Sequence, residues 1–219
     1  MIDATIDAIG RMAALGGPVV LILMAVSVLT MAVILYKIWQ FRAAGVGRHA
    51  ALRAAIESWD AGRISDAHAS LGQSTSYLKP VVALGLHHRA DTARMEAEAE
   101  TLFLRLERGF KLLDTVAQLA PLLGLFGTVL GMISAFQALQ EAGAQVDPSI
   151  LAGGIWVALL TTAAGLIVAM PTAAVLTWFE ARMDAERVFA GRAIATISGP
   201  TSHSQTQTDE VLDATFVPA

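Results

Sequence analysis

The sequence predicts an all-α integral membrane protein: three transmembrane helices joined by long helical extensions on the cytoplasmic side. Three observations predict it. First, 55% of the 219 residues are hydrophobic and only 16% are charged, where a soluble domain of this size carries about a quarter charged residues. The mean hydropathy is correspondingly positive, +0.57. Second, three stretches carry no charge: Pro18 to Tyr36, Thr115 to Gln140, and Pro148 to Phe179. At about 1.5 Å rise per residue, each is long enough to cross a hydrocarbon core of about 30 Å as a helix. Third, eleven of the fifteen Lys and Arg residues lie between Lys37 and Lys111. Basic residues next to spanning ends mark the cytoplasmic side.

The same composition excludes other classes. A net charge of −4 gives no basic field, so nucleic acid is not an expected partner. The absence of cysteine removes disulfides, thiolate metal sites and thiol chemistry. None of the five histidines, His49, His68, His87, His88 and His203, stands at ligand spacing from a carboxylate. His87 and His88 are adjacent, so on a helix their rings point about 100° apart. No metal and no cofactor are expected.

In chain order, residues 1–17 have Ile2, Ile6, Ile9 and Ala13 at helical spacing among Asp3, Asp7 and Arg11. This reads as a short interfacial amphipathic helix. Gly16-Gly17-Pro18 punctuates the chain, and proline suits a helix's first turn. Residues 18–38 form the first span. A cleaved signal peptide is the rival, but the acidic start and the length of the apolar run argue against it. Tyr36, Lys37, Trp39 and Arg42 anchor its far end. Residues 39–114 form the cytoplasmic helical region. Its alanine-rich part, Arg48 to Ala69, reads as helix with an apolar stripe at Leu52, Ile56 and Trp59. Residues 72–79 read as loop, and Pro80 restarts the chain.

From Asp91 a strong helix is expected, with Asp91 as its cap and Glu96, Glu98 and Glu100 in its early turns. Leu102, Leu106, Phe110, Leu113 and Ala117 continue one stripe, which predicts a single long helix running into the second span, 115–139. The loop 140–149 has no Lys or Arg, as expected outside. The third span covers 150–179, with a kink expected at Pro171, which leaves the Ile167 carbonyl without its usual donor. A charged helix follows over 180–199. The tail 200–219 is rich in Ser, Thr, Gln and Asp and reads as disordered. The layout places the N-terminus outside and the C-terminus in the cytoplasm.

No Asp, Glu, Lys, Arg or His lies within the uncharged runs 18–36, 115–139 and 150–179, so the chain has no proton carrier of its own there. It does have small-residue faces. Gly124, Thr128, Gly131 and Ala135 share one face of the second span, with Gly127 beside them. Gly154, Ala158, Thr161, Thr162, Gly165 and Ala169 share one face of the third. Such faces let helices approach closely. Each hydroxyl either bonds its own or a neighbouring helix, or lines a wet path. The residues alone leave both open and describe an oligomeric membrane protein with a polar seam.

Two stretches carry a resemblance. Ala120-Pro-Leu-Leu-Gly-Leu-Phe-Gly-Thr-Val-Leu-Gly-Met-Ile-Ser-Ala-Phe136 resembles the second-helix signature of the ExbB/TolQ/MotA proton-channel family. Gly154-Ile-Trp-Val-Ala-Leu-Leu-Thr-Thr-Ala-Ala-Gly-Leu-Ile-Val-Ala-Met-Pro171 resembles its third-helix signature. The three-span layout is similar to ExbB and TolQ; MotA, with four spans, fits less well.

The resemblance implies a ring, a pentamer in ExbB and its relatives, in the bacterial inner membrane. The ring surrounds a dimer of a single-span ExbD/TolR-type partner whose membrane aspartate carries protons. Ion flow then drives work across the periplasm, for example on a TonB-like or TolA-like protein. By the matched motifs, Thr128 and Thr162, with Thr161 beside it, line the path; Gly124, Gly127, Gly131, Gly154, Ala158 and Gly165 pack the helices; and Pro171 shapes the third. ExbB and TolQ carry a Glu near the start of the third helix where this chain has Val157. A non-conducting scaffold paralogue and a MotA-like motility stator subunit are the alternatives. An enzyme is not expected, since no nucleophile triad, HExxH or phosphate loop is present.

Overall fold

The computed structural model describes residues 2–88, 91–142 and 148–199, without the side chains of 2–16, 87, 88 and 142. Seven helices run in chain order: α1 Ile2–Ala43, α2 Ala50–Asp60, α3 Ile64–Gly72, α4 Lys79–His88, α5 Thr92–Glu107, α6 Phe110–Ala142 and α7 Pro148–Ser198. No strand occurs among the described residues. Three segments are long and apolar enough to cross a membrane: Gly17–Ala43, Phe110–Glu141 and Pro148–Ser198. The last holds 51 residues, more than the about 20 a bilayer needs; its uncharged part ends at Phe179. The chain is therefore a membrane protein. Two compact units partition it: one from Met1–Tyr36 and Gly109–Phe179, the other from Lys37–Arg108 and the chain from Glu180.

In the first unit, Val19 and Leu23 of α1, Ala120 of α6, and Val168 and Ala169 of α7 form a buried cluster. Val26, Val116 and Leu123 pack against it. Large apolar side chains point outward instead, among them Val28, Leu35, Phe126, Trp156, Leu159 and Ile167. In lipid or against partner helices such faces carry no penalty. Gly17, at φ 66° and ψ −169°, breaks the helical path of α1. Pro18 then starts a fresh helical run, where its missing N–H is no loss.

Helix α7 passes through Pro171 without interruption. The Thr172 hydroxyl donates to the Val168 carbonyl at 2.7 Å, one turn back beside the proline.

In the second unit, the stretch 48–69, expected to be helical, holds two helices, α2 and α3, with Gly62 at φ 75° between them. Folding back buries Leu52, Ala55 and Trp59 of α2 and Ala67 and Leu71 of α3. Helix α5 buries Met95, Ala99, Phe103 and Leu106, one stripe at four, four and three. Asp91 stands at its N-cap, but its side chain makes no capping bond; its backbone carbonyl accepts from Arg94 and Met95.

The expected continuous helix from Asp91 into the second span is also corrected. It stops at Glu107 and restarts at Phe110, with Gly109 at φ 94°. The break leaves carbonyls at the end of α5 without helical donors. Lys37, 2% exposed, fills one vacancy: its ammonium donates to the Leu106 carbonyl at 2.7 Å and to Gln40 at 2.8 Å. Of the expected loop 140–149, residues 140–142 belong to α6 and 148–149 to α7, and 143–147 lie outside the described residues, as does the whole tail 200–219.

Candidate functional site: the α6–α7 seam

The seam is built by glycines. A Cβ on Gly124 would stand 2.9 Å from the Thr161 carbonyl oxygen and 3.1 Å from the Thr162 Cα. One on Gly127 would stand 2.7 Å from the Thr161 side chain, and one on Gly131 3.3 Å from Ala158. From the other helix, a Cβ on Gly165 would stand 2.6 Å from the Ala120 carbonyl oxygen and 3.1 Å from the Gly124 Cα. Gly154 closes against Ala135. As the α6 number rises, the α7 number falls, so the two helices run antiparallel with their backbones nearly touching. Only glycine and alanine leave room for this.

The hydroxyls divide by place. Thr161 is buried, 1% exposed, and donates to the Ala158 carbonyl at 2.7 Å. It lies inside the seam against Gly127. Thr128 and Thr162 are half-buried. Thr128 donates to the Leu125 carbonyl at 2.6 Å. Thr30 of α1 is bonded in the same way, to Val26 at 2.7 Å. A threonine that has given its proton to its own helix keeps oxygen lone pairs that can accept from water. Thr128 and Thr161 are thus hydrogen-bond acceptors toward anything that reaches them.

A cavity of about 300 Å³ lies beside this seam, next to the Gly17–Pro18 break. Ser134, Val157 and Thr161 line it with Gly127, Gly131 and Gly154. Val157 stands where the resemblance places a glutamate, so a carboxylate at this position would border that space. The residues lining the cavity include no ionisable group. Among the described residues no group of His, Asp and Glu is arranged to hold a metal ion.

The second unit holds a polar cluster that sequence reasoning missed. His49 Nε2 and Glu186 Oε2 lie 2.7 Å apart, and both side chains are buried. The Tyr77 hydroxyl donates to the same Glu186 oxygen at 2.9 Å, and Arg182 stands 3.7 Å from the other. His49 Nδ1 is 3.0 Å from the Ser76 hydroxyl, which itself accepts from the Leu78 N–H. A proton on Nε2 satisfies the ring from both sides: it donates to Glu186 and accepts from Ser76.

Burial pushes the Glu186 carboxyl up, but the His49 hydrogen bond and charge, the Tyr77 bond and Arg182 outweigh it and hold the group below its ordinary value. Burial, the neighbouring Glu186 charge and the bond to it push Tyr77 well up, against the opposing pull of Arg182 and Arg187. Next along α7, Arg187 engages Glu107 through both guanidinium nitrogens and Glu100 at 3.3 Å. These partners come from segments remote in sequence, so no local spacing signals them.

Known proteins with this arrangement of motifs are informative. Biopolymer transport protein exbB1 of Vibrio cholerae is 36% identical over 116 residues, which cover 48% of this chain and 50% of that protein. Tol-Pal system protein TolQ of Haemophilus influenzae is 39% identical over 97 residues, 44% of this chain and 40% of that one. Biopolymer transport protein ExbB of Salmonella typhimurium is 29% identical over 104 residues, 48% and 42%. The matched part thus spans half or less of each relative's length. The model of a wider family matches residues 73–189, more than half of the chain, including all of α6 and the apolar part of α7. With both seam helices inside that match, this chain belongs to the MotA/TolQ/ExbB proton channel family.

Proposed function

We propose that this chain is an ExbB/TolQ-type subunit of an ion-driven motor in the bacterial inner membrane. It assembles as a ring, a pentamer, around a dimer of an ExbD/TolR-type single-span partner. The partner brings the membrane aspartate, and Thr128 and Thr162 offer oxygens along the path. The N-terminus faces the periplasm and the C-terminus the cytoplasm. Proton flow through the complex is coupled to work on a TonB-like or TolA-like protein, and the chain itself catalyses no covalent chemistry.

One observation carries this reading. The uncharged runs 18–36, 115–139 and 150–179 hold hydroxyls, a glycine seam and no Asp, Glu, Lys, Arg or His, as befits a wall for a proton carrier supplied by another chain. The test is proton flux into proteoliposomes carrying this chain with its single-span partner, read by a pH-sensitive dye under an imposed potential. Flux that needs the partner and falls about tenfold in Thr162→Val, with assembly intact, supports the motor.

Val157 favours a second reading, a non-conducting scaffold that assembles the partner by helix packing. An apolar side chain borders the cavity at the position where the resemblance to ExbB and TolQ implies an acid. An assembled complex without flux, even after Val157→Glu, establishes the scaffold. Flux gained only with Val157→Glu identifies a silenced member.

A further inference from the structure

We propose that the acidic, apolar segment 209–217 of this chain docks in the groove between α2 and α7, covering a surface the helical body leaves open. The groove encloses about 420 Å³. Arg53 and Ile56 of α2 face Val188, Phe189 and Arg192 of α7 across it, and it runs along α7 from Ala185 to Thr196. Its floor is apolar: Ala193 is buried, while Val188 is 54% exposed. Its rims are basic. The Arg53 guanidinium lies 5.6 Å from the Phe189 ring centroid, a cation–π contact that leaves its outer N–H groups available. Arg192 is in no ion pair among the described residues. Glu57 is the one acid on the lining.

The chain beyond α7 has the complementary chemistry. After Arg192 no Lys or Arg occurs. Residues 200–208, Pro-Thr-Ser-His-Ser-Gln-Thr-Gln-Thr, form a polar spacer without acids. Then come Asp209, Glu210, Val211, Leu212, Asp213, Ala214, Thr215, Phe216 and Val217: three carboxylates interleaved with four large apolar or aromatic side chains. Carboxylates match the guanidinium forks of Arg53 and Arg192. The apolar side chains match the floor.

Reach is sufficient. From Ser198 back to Ala185 along the helix is about 20 Å at 1.5 Å per residue. The spacer extends to about 30 Å at 3.3 Å per residue. The tether is short, so the local concentration of the segment is of millimolar order. This gives the chain's own tail an advantage over a free acidic peptide.

The chain has no cysteine, so introduced thiols are the only ones. The experiment places Val188→Cys in the groove and Leu212→Cys in the tail of the full chain, reconstituted in lipid and oxidised mildly. The expected product is an intrachain disulfide, identified by mass spectrometry of the digest. Its yield should exceed at least fivefold that of a control pair using Ile64→Cys, which is exposed on α3 away from the groove. Reversing the groove with Arg53→Glu and Arg192→Glu should cut the yield at least fivefold. Adding Asp209→Lys, Glu210→Lys and Asp213→Lys should restore it, which a merely misfolded groove could not do. Glu57→Gln should raise it.

Equal yield from the control pair, indifference to charge reversal, or failure of the swapped charges to rescue overturns the proposal. So does a disulfide formed only between chains, which would assign the groove to a second copy.

Discussion

Glu186 accepts from His49 and Tyr77 on one carboxylate oxygen while nearly sealed from water. Its carboxyl is held below the ordinary value of 4.5. The sign of the pH effect follows. A depressed folded value favours the folded state above the unfolded value, and that contribution is lost as pH falls through the folded one. Acid titration of thermal stability in detergent should therefore show a loss below about pH 4.5 that Glu186→Gln removes. At neutral pH, Glu186→Ala should cost about 3–5 kcal/mol, because His49, Tyr77 and Arg182 then keep a buried site without its anion. A melting temperature unchanged from the parent would refute this. None of this was legible in the sequence. His49 reads as one of five ordinary histidines, and its carboxylate lies 137 positions away. The hydroxyls were more legible. Thr128, Thr161 and Thr162 stand out in an uncharged run, yet which of them enters the seam is decided by about 100° of helix rotation per residue.

The elements themselves follow from hydropathy, since long uncharged runs have one stable form in lipid. Their interruptions do not. Gly62 and Gly109 sit in patterns that continue helically on both sides, and a single glycine is tolerated in a helix or ends one according to what the tertiary fold buries. At Gly109 the positive φ is a testable commitment. Gly109→Ala should destabilise by about 1–2 kcal/mol, the cost of an L residue in that region. Thermal denaturation compared with the parent reads it, and an equal or higher midpoint would mean that the break is not required.

The seam glycines make a sharper contrast. Gly124→Val and Gly165→Val place carbon where backbone of the facing helix stands under 3 Å from a first Cβ. Both should broaden or abolish the parent's peak in size-exclusion chromatography in detergent. Gly153→Ala, one position from a seam residue with nothing within 4 Å of the new carbon, should elute as the parent does. Equal behaviour of the three would mean that α6 and α7 do not pack through these residues.

At the scale of the whole molecule, family membership was legible because the two seam helices carry both the packing constraint and the family's signature, in one run of residues each. How many copies assemble, and with what, leaves no comparable trace in a single chain. In the flux assay, Val157→Glu is the informative whole-complex variant. A gain of about tenfold over the parent would mark the cavity at Val157 as a point on the ion path, whereas no change would place the path elsewhere.

The near-contact of α6 and α7 also has a mechanical meaning. Where Gly124 meets Gly165 the two backbones approach without side chains between them, so there are no rotamers to yield. A screw motion of α6 by one residue, about 1.5 Å along its axis with about 100° of rotation, would bring Leu123 or Leu125 to the place of Gly124. The pair is therefore welded in register. Along the seam the two helices move as one strut, and any compliance of the protein must be sought outside that strut.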